Sequence, residues 1–425
     1  MSALSAKPLA VPLVLALSSV VMLFLDTLLS PRLRHRLGAC ALGLLLVPLA
    51  ASFWLSTPFE VAGGVYVSGP GTVYLQRIFL LCGVLCVLGG LEHVDRHARA
   101  RQGEYYFLLF LSLLGMTVLA GARDFLLLIV CFELMGLPLY VLAAFGKNDG
   151  PVLRNGAIAV RGAAAEAGIK LYLTGAASTA VALFGLSLIV GTAGGTSLST
   201  VAAAAPSPIL LLGTMMVLAG MGFKIGVAPF HMWVPDTYQG AQAPFVAFLS
   251  SAPKVAGVAA LCTVFFVGLP GAVDSFRPAL VALAVLTMTV GTLLAVPQTS
   301  IKRLLAYSGV AHVGYLLMGV AAGTPLGMSV VLYYLAIYAV TNVGTFLVVH
   351  AVATEAGTDD LSAFSGLFRR APGLALALLI FLLSLAGIPF MAGFWAKLYV
   401  FTAAFRAGMG WLVLIGALLS VVALF

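Results

Sequence analysis

Residues Gly222 to Lys254, GFKIGVAPFHMWVPDTYQGAQAPFVAFLSSAPK, place Lys224, His231, Asp236 and Lys254 inside a chain that otherwise reads as lipid-soluble. A lysine at the centre of a bilayer costs roughly 2.5–3.5 kcal/mol on insertion scales, so a position that keeps one is read first as functional. The same stretch holds four prolines, Pro229, Pro235, Pro244 and Pro253. Pro229 removes a backbone donor and clashes with the preceding turn, which predicts that the helix carrying Lys224 breaks just after it. Backbone freed at that depth is tolerated only where it is buried in protein or lines a water-filled cavity. A buried cation beside a broken helix is the layout of an ion path.

Glu133, in LLLIVCFELMGLPLYVL, is the lone charge of its apolar run and the natural partner for Lys224. Burial favours the neutral amine and a nearby carboxylate favours the ammonium, so moving the carboxylate away would release a proton. A bare ion pair locking two helices is the competing reading for Glu133. A neutral side chain would fill that space without the desolvation cost, which argues against the lock. Lys254, in the middle of the next run, and Lys397, just after a second proline break at Pro389, repeat the element. His231 and His312 are expected between the lysines, as relay members or as structural histidines, and snorkelling to an interface competes for Lys254 and Lys397. Glu166 and Lys170 stand four apart on one helix face, where a surface ion pair and a coupling pair fit equally.

These groups need elements long enough to carry them across a bilayer. The 425 residues are 62% hydrophobic and 8% charged, with a mean hydropathy of +1.13, which excludes a soluble domain and defines a polytopic membrane protein. The net charge of +8 reflects basic loops, not a nucleic-acid partner. All five cysteines lie in apolar segments; Cys82 and Cys86 are four apart, but no second pair or histidine completes a metal set, so they read as packing thiols. Runs near 9–29, 36–56, 71–91, 104–122, 124–145, 167–192, 207–235, 243–267, 278–297, 303–322, 327–350, 372–403 and 409–425 give roughly thirteen spans of about 20 residues or more. The first run lacks a small-residue cleavage site and reads as a span, not a signal peptide. The last stops at Phe425 with no polar flank, which predicts an end inside a helix, short of a final span.

Loop charge orients the spans. One set of connections carries Arg32, Arg34 and Arg36, then Arg96, Arg99 and Arg101, then Lys147, Arg154 and Arg161, then Lys302 and Arg303, then Arg369 and Arg370. The alternate set carries only Arg123, Arg277 and Arg406. The positive-inside rule makes the first set cytoplasmic and puts the N-terminus outside. An internal echo joins the two halves. LYLTGAASTAVALFG (Leu171–Gly185) resembles YYLAIYAVTNVGTFL (Tyr333–Leu347), and GVAPFHMW resembles GIPFMAGFW at a similar offset. Five spans separate the copies, so they would be inverted, the pattern of transporters with broken helices. The expected fold is therefore an all-α polytopic membrane protein of about 13–14 transmembrane helices with two inverted five-helix repeats, each containing a broken helix. Its parts would be an N-terminal three-helix segment (1–103), a first repeat (104–270) and a second (271–425).

FKIGVAPFHMWVPDTYQGA, the lysine of SSAPKVAGVAAL, IKRLLAYSGVAHVGYLLMG and LAGIPFMAGFWAKLYVF resemble the antiporter-like subunits of respiratory complex I. Within them, DTYQGA, EAGIKLYLTGAAST and FELMGLPLYVL resemble the subunit N family, counterparts of mitochondrial subunit 2. The resemblance covers about residues 104–425. It implies that Glu133 and Lys224 are a coupling pair, Lys254 a central relay lysine and Lys397 an exit-side lysine, with Glu166 and Lys170 at positions the family uses. It further implies a non-redox, proton-translocating subunit of an NADH-quinone oxidoreductase. No cofactor would be bound by this chain; NADH, FMN, iron–sulfur clusters and quinone would belong to other subunits, and no dinucleotide fingerprint is present here. Other antiporter-like subunits, small membrane subunits and the lipid bilayer are the implied partners. The family commonly has a second proline where this chain has Phe390, and Glu-Gly-Ala-Pro where it has Gln239-Gly-Ala-Gln242. A cation/proton antiporter subunit and an idle structural spacer are the competing readings. The element after Pro229 favours complex I over the first, and intact buried charges argue against the second. High Ala, Gly and Arg content points to a bacterium and its inner (plasma) membrane.

Overall fold

The computed structural model describes residues 9–30, 33–54, 59–146, 162–270 and 273–424. Arg32, Lys147, Arg154, Arg161 and Phe425 fall outside the described residues. Along the chain run α1 (Ala10–Leu28), α2 (Leu37–Ala51), α3 (Pro70–His97), α4 (Gln102–Leu119), α5 (Phe125–Ala143) and α6 (Ala163–Ala193). The short α7 (Leu198–Ala202) leads to α8 (Pro208–Ile225) and α9 (Trp233–Gly240). Next come α10 (Ala243–Leu249), α11 (Ala252–Thr263), a π-helical turn over Val264–Gly268, α12 (Val273–Ala295), α13 (Ile301–Ala321) and α14 (Pro325–Ala356). The last elements are α15 (Leu367–Arg370), α16 (Pro372–Ala386), α17 (Ala392–Arg406) and α18 (Gly410–Val422). Among the described residues, 11 helices or helix pairs are long and apolar enough to cross a membrane, and α16 and α18 are shorter apolar helices. Together they account for the thirteen apolar runs of the sequence. This is a multi-pass membrane protein.

Two details depart from the sequence reading. A small antiparallel ribbon, β1 (Phe59–Val61) with β2 (Tyr66–Ser68), breaks the all-helical pattern on the face opposite the basic connections; Val67 N–H bonds to the Gly121 carbonyl at 2.8 Å. The run 243–267, read as one span, is interrupted at Ser250–Ser251, where Ser251 has φ −116° and ψ −83°. Pro253 in the first turn of α11 explains it, because its ring cannot follow a continuous helix. Pro138, by contrast, sits inside α5 without interrupting it.

Burial grades sharply across the bundle. The α10–α11 pair is enclosed throughout and α13 nearly so, whereas α1, α2, α6 and α12 leave wide apolar faces outward. Lipid offers no hydrophobic drive between helices, so close packing supplies the contact energy. Gly185 of α6 meets Gly213 of α8 so closely that a Cβ on Gly213 would lie 2.6 Å from the Gly185 carbonyl oxygen. Side-chain caps fix where several spans begin: Asp124 accepts from Leu126 and Leu127 N–H at the start of α5, and Ser207, Ser300 and Thr324 serve α8, α13 and α14. Replacing such a cap costs about 0.5–2 kcal/mol. Asp359, in the loop after α14, accepts the Ser300 hydroxyl at 2.8 Å and clips that loop to the start of α13.

The basic connections gather on one face. Arg34 donates to the Ala100 carbonyl, and Lys302 lies within coulombic range of His93 near the end of α3. At a rise of 1.5 Å per residue, α3, α6 and α14, with 28, 31 and 32 residues, are about 42–48 Å long and outreach the ~30 Å hydrocarbon layer.

Candidate functional site

Both expected breaks form, and by the same device. At the end of α8, Gly226 takes the left-handed conformation (φ 80°), Val227 N–H bonds to Gly222 O and Gly226 N–H to Phe223 O. At the end of α16, Gly387 (φ 86°) repeats it, with Ile388 N–H to Leu383 O and Gly387 N–H to Ser384 O. This pairing is the Schellman termination, and only glycine reaches its backbone angle without strain. The prolines that follow, Pro229 three residues after Gly226 and Pro389 two after Gly387, prevent the helix from resuming at once. At the first break Ala228 N–H donates to Thr287 of α12 at 3.1 Å, and the Trp233 indole gives Phe223 O a second hydrogen bond at 3.0 Å. Phe390, where the family commonly has proline, has φ 74° and is 97% exposed, yet the break is intact.

Lys224, in the last turn of α8, donates to Glu133 of α5 at 3.0 Å and to the Tyr140 hydroxyl at 2.8 Å. The same Glu133 oxygen accepts from Thr179 of α6 at 2.7 Å. Lys224 is only 9% exposed at its side chain while Glu133 is 27% exposed, so the carboxylate is the looser partner. Beside the pair lies a cavity of about 30 Å³ lined by Phe132, Thr179, Gly220 and Val264 with the two charges, enough for two or three waters at ~10–15 Å³ each. Space is tight around the ammonium: a Cβ at Gly136 would lie 2.6 Å from it.

Lys254, at the start of α11, is 1% exposed, and its ammonium has no hydrogen-bond partner among the described residues. It stands 5.5 Å from the centre of the Tyr238 ring, a cation–π arrangement. The break just before it leaves the Ser250 carbonyl free, and α14 takes it up: the Tyr338 hydroxyl donates at 3.1 Å and the Asn342 amide at 3.0 Å. Lys397 of α17 is 5% exposed and closes the second break, donating to Ala386 O at 2.8 Å and to Ser420 Oγ at 3.0 Å, with its ammonium 4.9 Å from the Tyr315 ring centre.

His312 of α13 joins these two lysines. Its Nδ1 lies 2.7 Å from the Tyr334 hydroxyl, its ring packs 5.4 Å from that of Tyr338 and 6.1 Å from that of Tyr315, and both lysines are within coulombic range. Between Lys224 and Lys254 the contacts are aromatic: Phe223 on Trp233 at 5.4 Å, then Trp233 on Tyr238 at 6.4 Å. His231 does not share the position of His312. It is half-buried on the first break beside Tyr307, 6.3 Å between ring centres, and no contact joins it to a lysine among the described residues.

Glu166 and Lys170 do pair, at 2.7 Å, but not in isolation. Lys170 also reaches Asp236 of α9 at 2.7 Å, and Asp236 binds Arg303 of α13 at 2.9 Å, so the cluster ties the segment after the first break to two long helices. Burial works against the Asp236 carboxylate, but the flanking cations outweigh it and hold it below the ordinary carboxylate range. Sequence reasoning passed over Tyr140, Thr179, Tyr238, Tyr315 and Ser420. A signal existed for Tyr334, Tyr338 and Asn342, which are four apart and stripe one face of an otherwise apolar helix. Among the described residues no group of three His, Cys, Asp or Glu side chains is placed to hold a metal ion.

A membrane bundle with two glycine–proline breaks, a carboxylate–lysine pair at one and a capping lysine at the other is of the antiporter-like class. Residues 122–423 match the family NADH:quinone oxidoreductase/Mrp antiporter, TM. NADH-quinone oxidoreductase subunit N of Moorella thermoacetica is 42% identical over 381 residues, 89% of this chain and 77% of that protein. A chain of respiratory complex I from Thermus thermophilus with bound aureothin superposes with a TM-score of 0.80 at 33% identity, covering 97% of this chain and 87% of the other. A chain of the Mrp complex from Dietzia sp. DQ12-45-1b does so with a TM-score of 0.86 at 25% identity, covering 100% and 78%. The chain belongs to the NADH-quinone oxidoreductase subunit N family.

Proposed function

We propose that this chain is the non-redox, proton-translocating membrane subunit of a bacterial NADH-quinone oxidoreductase, moving protons while other subunits hold NADH, FMN, iron–sulfur clusters and quinone. The observation that carries the reading is the line Lys254–Tyr338–His312–Tyr315–Lys397, in which buried lysines are joined by groups that can accept and pass a proton. Glu133 and Lys224 form the coupling pair: the carboxylate holds the ammonium charged, and withdrawing it frees a proton. Lys254, without a counter-charge, is the central relay, and Lys397, bonded to the second break, is the exit-side lysine. Glu166, Lys170 and Asp236 brace the first break against α13.

Two inverted repeats, 104–270 and 271–425, each built around a broken helix, with 1–103 as an added three-helix segment, account for the matched Schellman breaks. The basic connections face the cytoplasm by the positive-inside rule, which puts the N-terminus on the periplasmic side of the inner membrane. The likeness to an Mrp complex supports a cation/proton antiporter as the second reading; the 42% identity to a subunit N favours the first. The test is Lys254→Met in the assembled complex. Methionine fills similar volume without a charge, so the complex should assemble while proton uptake into sealed vesicles, and tightly coupled quinone reduction with it, falls sharply. Normal pumping by an assembled Lys254→Met complex would end the relay assignment.

A further inference from the structure

Three histidines that the relay does not use converge where α3 and α14 reach the basic-connection face. His93 and His97, four apart on α3, stack with ring centres 4.4 Å apart, and His350 of α14 meets His93 edge-on at 5.0 Å. They form a gradient of exposure, His97 open to the surface and His93 and His350 half-buried. Their charged neighbours are Glu92 and Lys302, and His93 is hydrogen-bonded by Gln242, the residue that begins α10. His93 Nε2 is buried with no partner among the described residues.

Helices α3, α10–α11 and α14 pack around one another, and Lys254 lies in the middle of that seam. One turn inward from His350, Phe346 packs edge-on against Tyr238 with ring centres 5.7 Å apart, and the face of Tyr238 carries Lys254. Tyr238 is fully buried, and its hydroxyl has no partner among the described residues; the same holds for the adjacent Thr237 hydroxyl. The four residues from Phe346 to His350 rise about 6 Å. The seam therefore runs from a solvent-touching imidazole, through two half-buried ones, to unpartnered buried hydroxyls and an unpartnered ammonium.

We propose that His97, His93 and His350 form a proton port through which Lys254 exchanges protons with the solution on the basic-connection face, with Tyr238 as the intermediate step. The idea rests on the relay role given to Lys254 above. Each transfer balances. An imidazole nitrogen takes a proton from water, passes it inward as its ring returns to neutral, and the tyrosine hydroxyl gives its own proton to the lysine amine while accepting the next. Imidazole suits the task because it is the side chain whose ordinary titration lies between pH 5 and 8.

The experiment uses the assembled complex in sealed vesicles with His93→Gln, His97→Gln and His350→Gln combined, His93→Gln alone serving if the triple variant does not assemble. Proton uptake is measured at pH 6 and pH 8, with and without added imidazole. The port predicts a loss of about threefold or more at pH 8, where protons are scarce, little change at pH 6, and recovery with imidazole. An equal loss at both pH values that imidazole does not relieve marks a packing role and overturns the port. So does wild-type uptake at both. Lys254→Met, run in parallel, separates the failures: if it is inactive while the histidine variants are normal, the port alone falls, and if it pumps normally, the relay itself falls.

Discussion

Glu133→Gln is the sharpest perturbation of the coupling pair, because glutamine keeps the size and the hydrogen bonds of the carboxylate and removes only its charge. At the observed 3.0 Å, the direct attraction in a surroundings of effective dielectric 20 is roughly 5 kcal/mol. Two features reduce the net effect. The Glu133 side chain is 27% exposed, and Lys224 keeps the Tyr140 hydroxyl at 2.8 Å. Breaking a fully buried pair costs about 3–5 kcal/mol, so for this partly exposed pair we expect less, about 2–3 kcal/mol of stabilisation lost by the Lys224 ammonium. If that poise gates the limiting proton transfer, coupled turnover should fall by between about thirtyfold and somewhat over a hundredfold, at 1.36 kcal/mol per decade. Thr179→Val removes a hydrogen bond to the same oxygen at 2.7 Å and should cost less, about 1.5 kcal/mol or slightly more. The assay is quinone reduction and proton uptake by both assembled variants in sealed vesicles, with an uncoupler to separate lost pumping from lost electron transfer. Wild-type turnover with full proton stoichiometry in Glu133→Gln would refute the coupling role and leave the pair a helix lock.

Further outcomes follow from the other centres. Lys254→Arg should assemble yet pump poorly, because a guanidinium does not release a proton; pumping equal to wild type would favour a spacer. Gly387→Ala forces an alanine to φ 86°, a cost of about 1–2 kcal/mol, and puts its Cβ 2.9 Å from Lys397 Cδ. It should lower both the melting temperature of the complex and proton uptake, whereas Gly373→Ala, with nothing within 4 Å, should do neither. Asp236→Asn leaves Lys170 paired with Glu166 but unties Arg303; with Asp236 35% exposed the loss should stay near 1 kcal/mol or less, read as a small drop in thermal stability that high salt erases. His312→Asn should cut proton uptake while His231→Asn should not, since only His312 stands between Lys254 and Lys397; equal effects would refute that line.

Much was legible in the chain itself, and for local reasons. Mid-span charges are costly, so Glu133, Lys224, Lys254 and Lys397 stood out wherever they packed. Proline and glycine act on their own backbone, so the breaks at Gly226–Pro229 and Gly387–Pro389 could be read from a few residues. Pro253 carried the same signal for the third break, but an unbroken apolar run masked it. The charge pattern of the loops likewise marked which connections share a face.

Tertiary structure alone decided which of these groups meet. Glu133 and Lys224 are 91 residues apart, and pattern could propose the pair but not its 3.0 Å contact or the share of Thr179 and Tyr140 in it. His231 and His312 looked alike in sequence; the packing of α13 against α14 and α17 set His312 between two lysines, while the turn after Gly226 carried His231 aside. Lys170 seemed to have a partner four residues away, and the fold added Asp236 and, through it, Arg303. Tyrosines are common in apolar helices, so nothing in composition marked Tyr238 or Tyr315 as more than packing. The reason is general: the cost of a buried charge is a property of one residue, but its compensation comes from residues remote in the chain, and only the packed bundle brings them within reach.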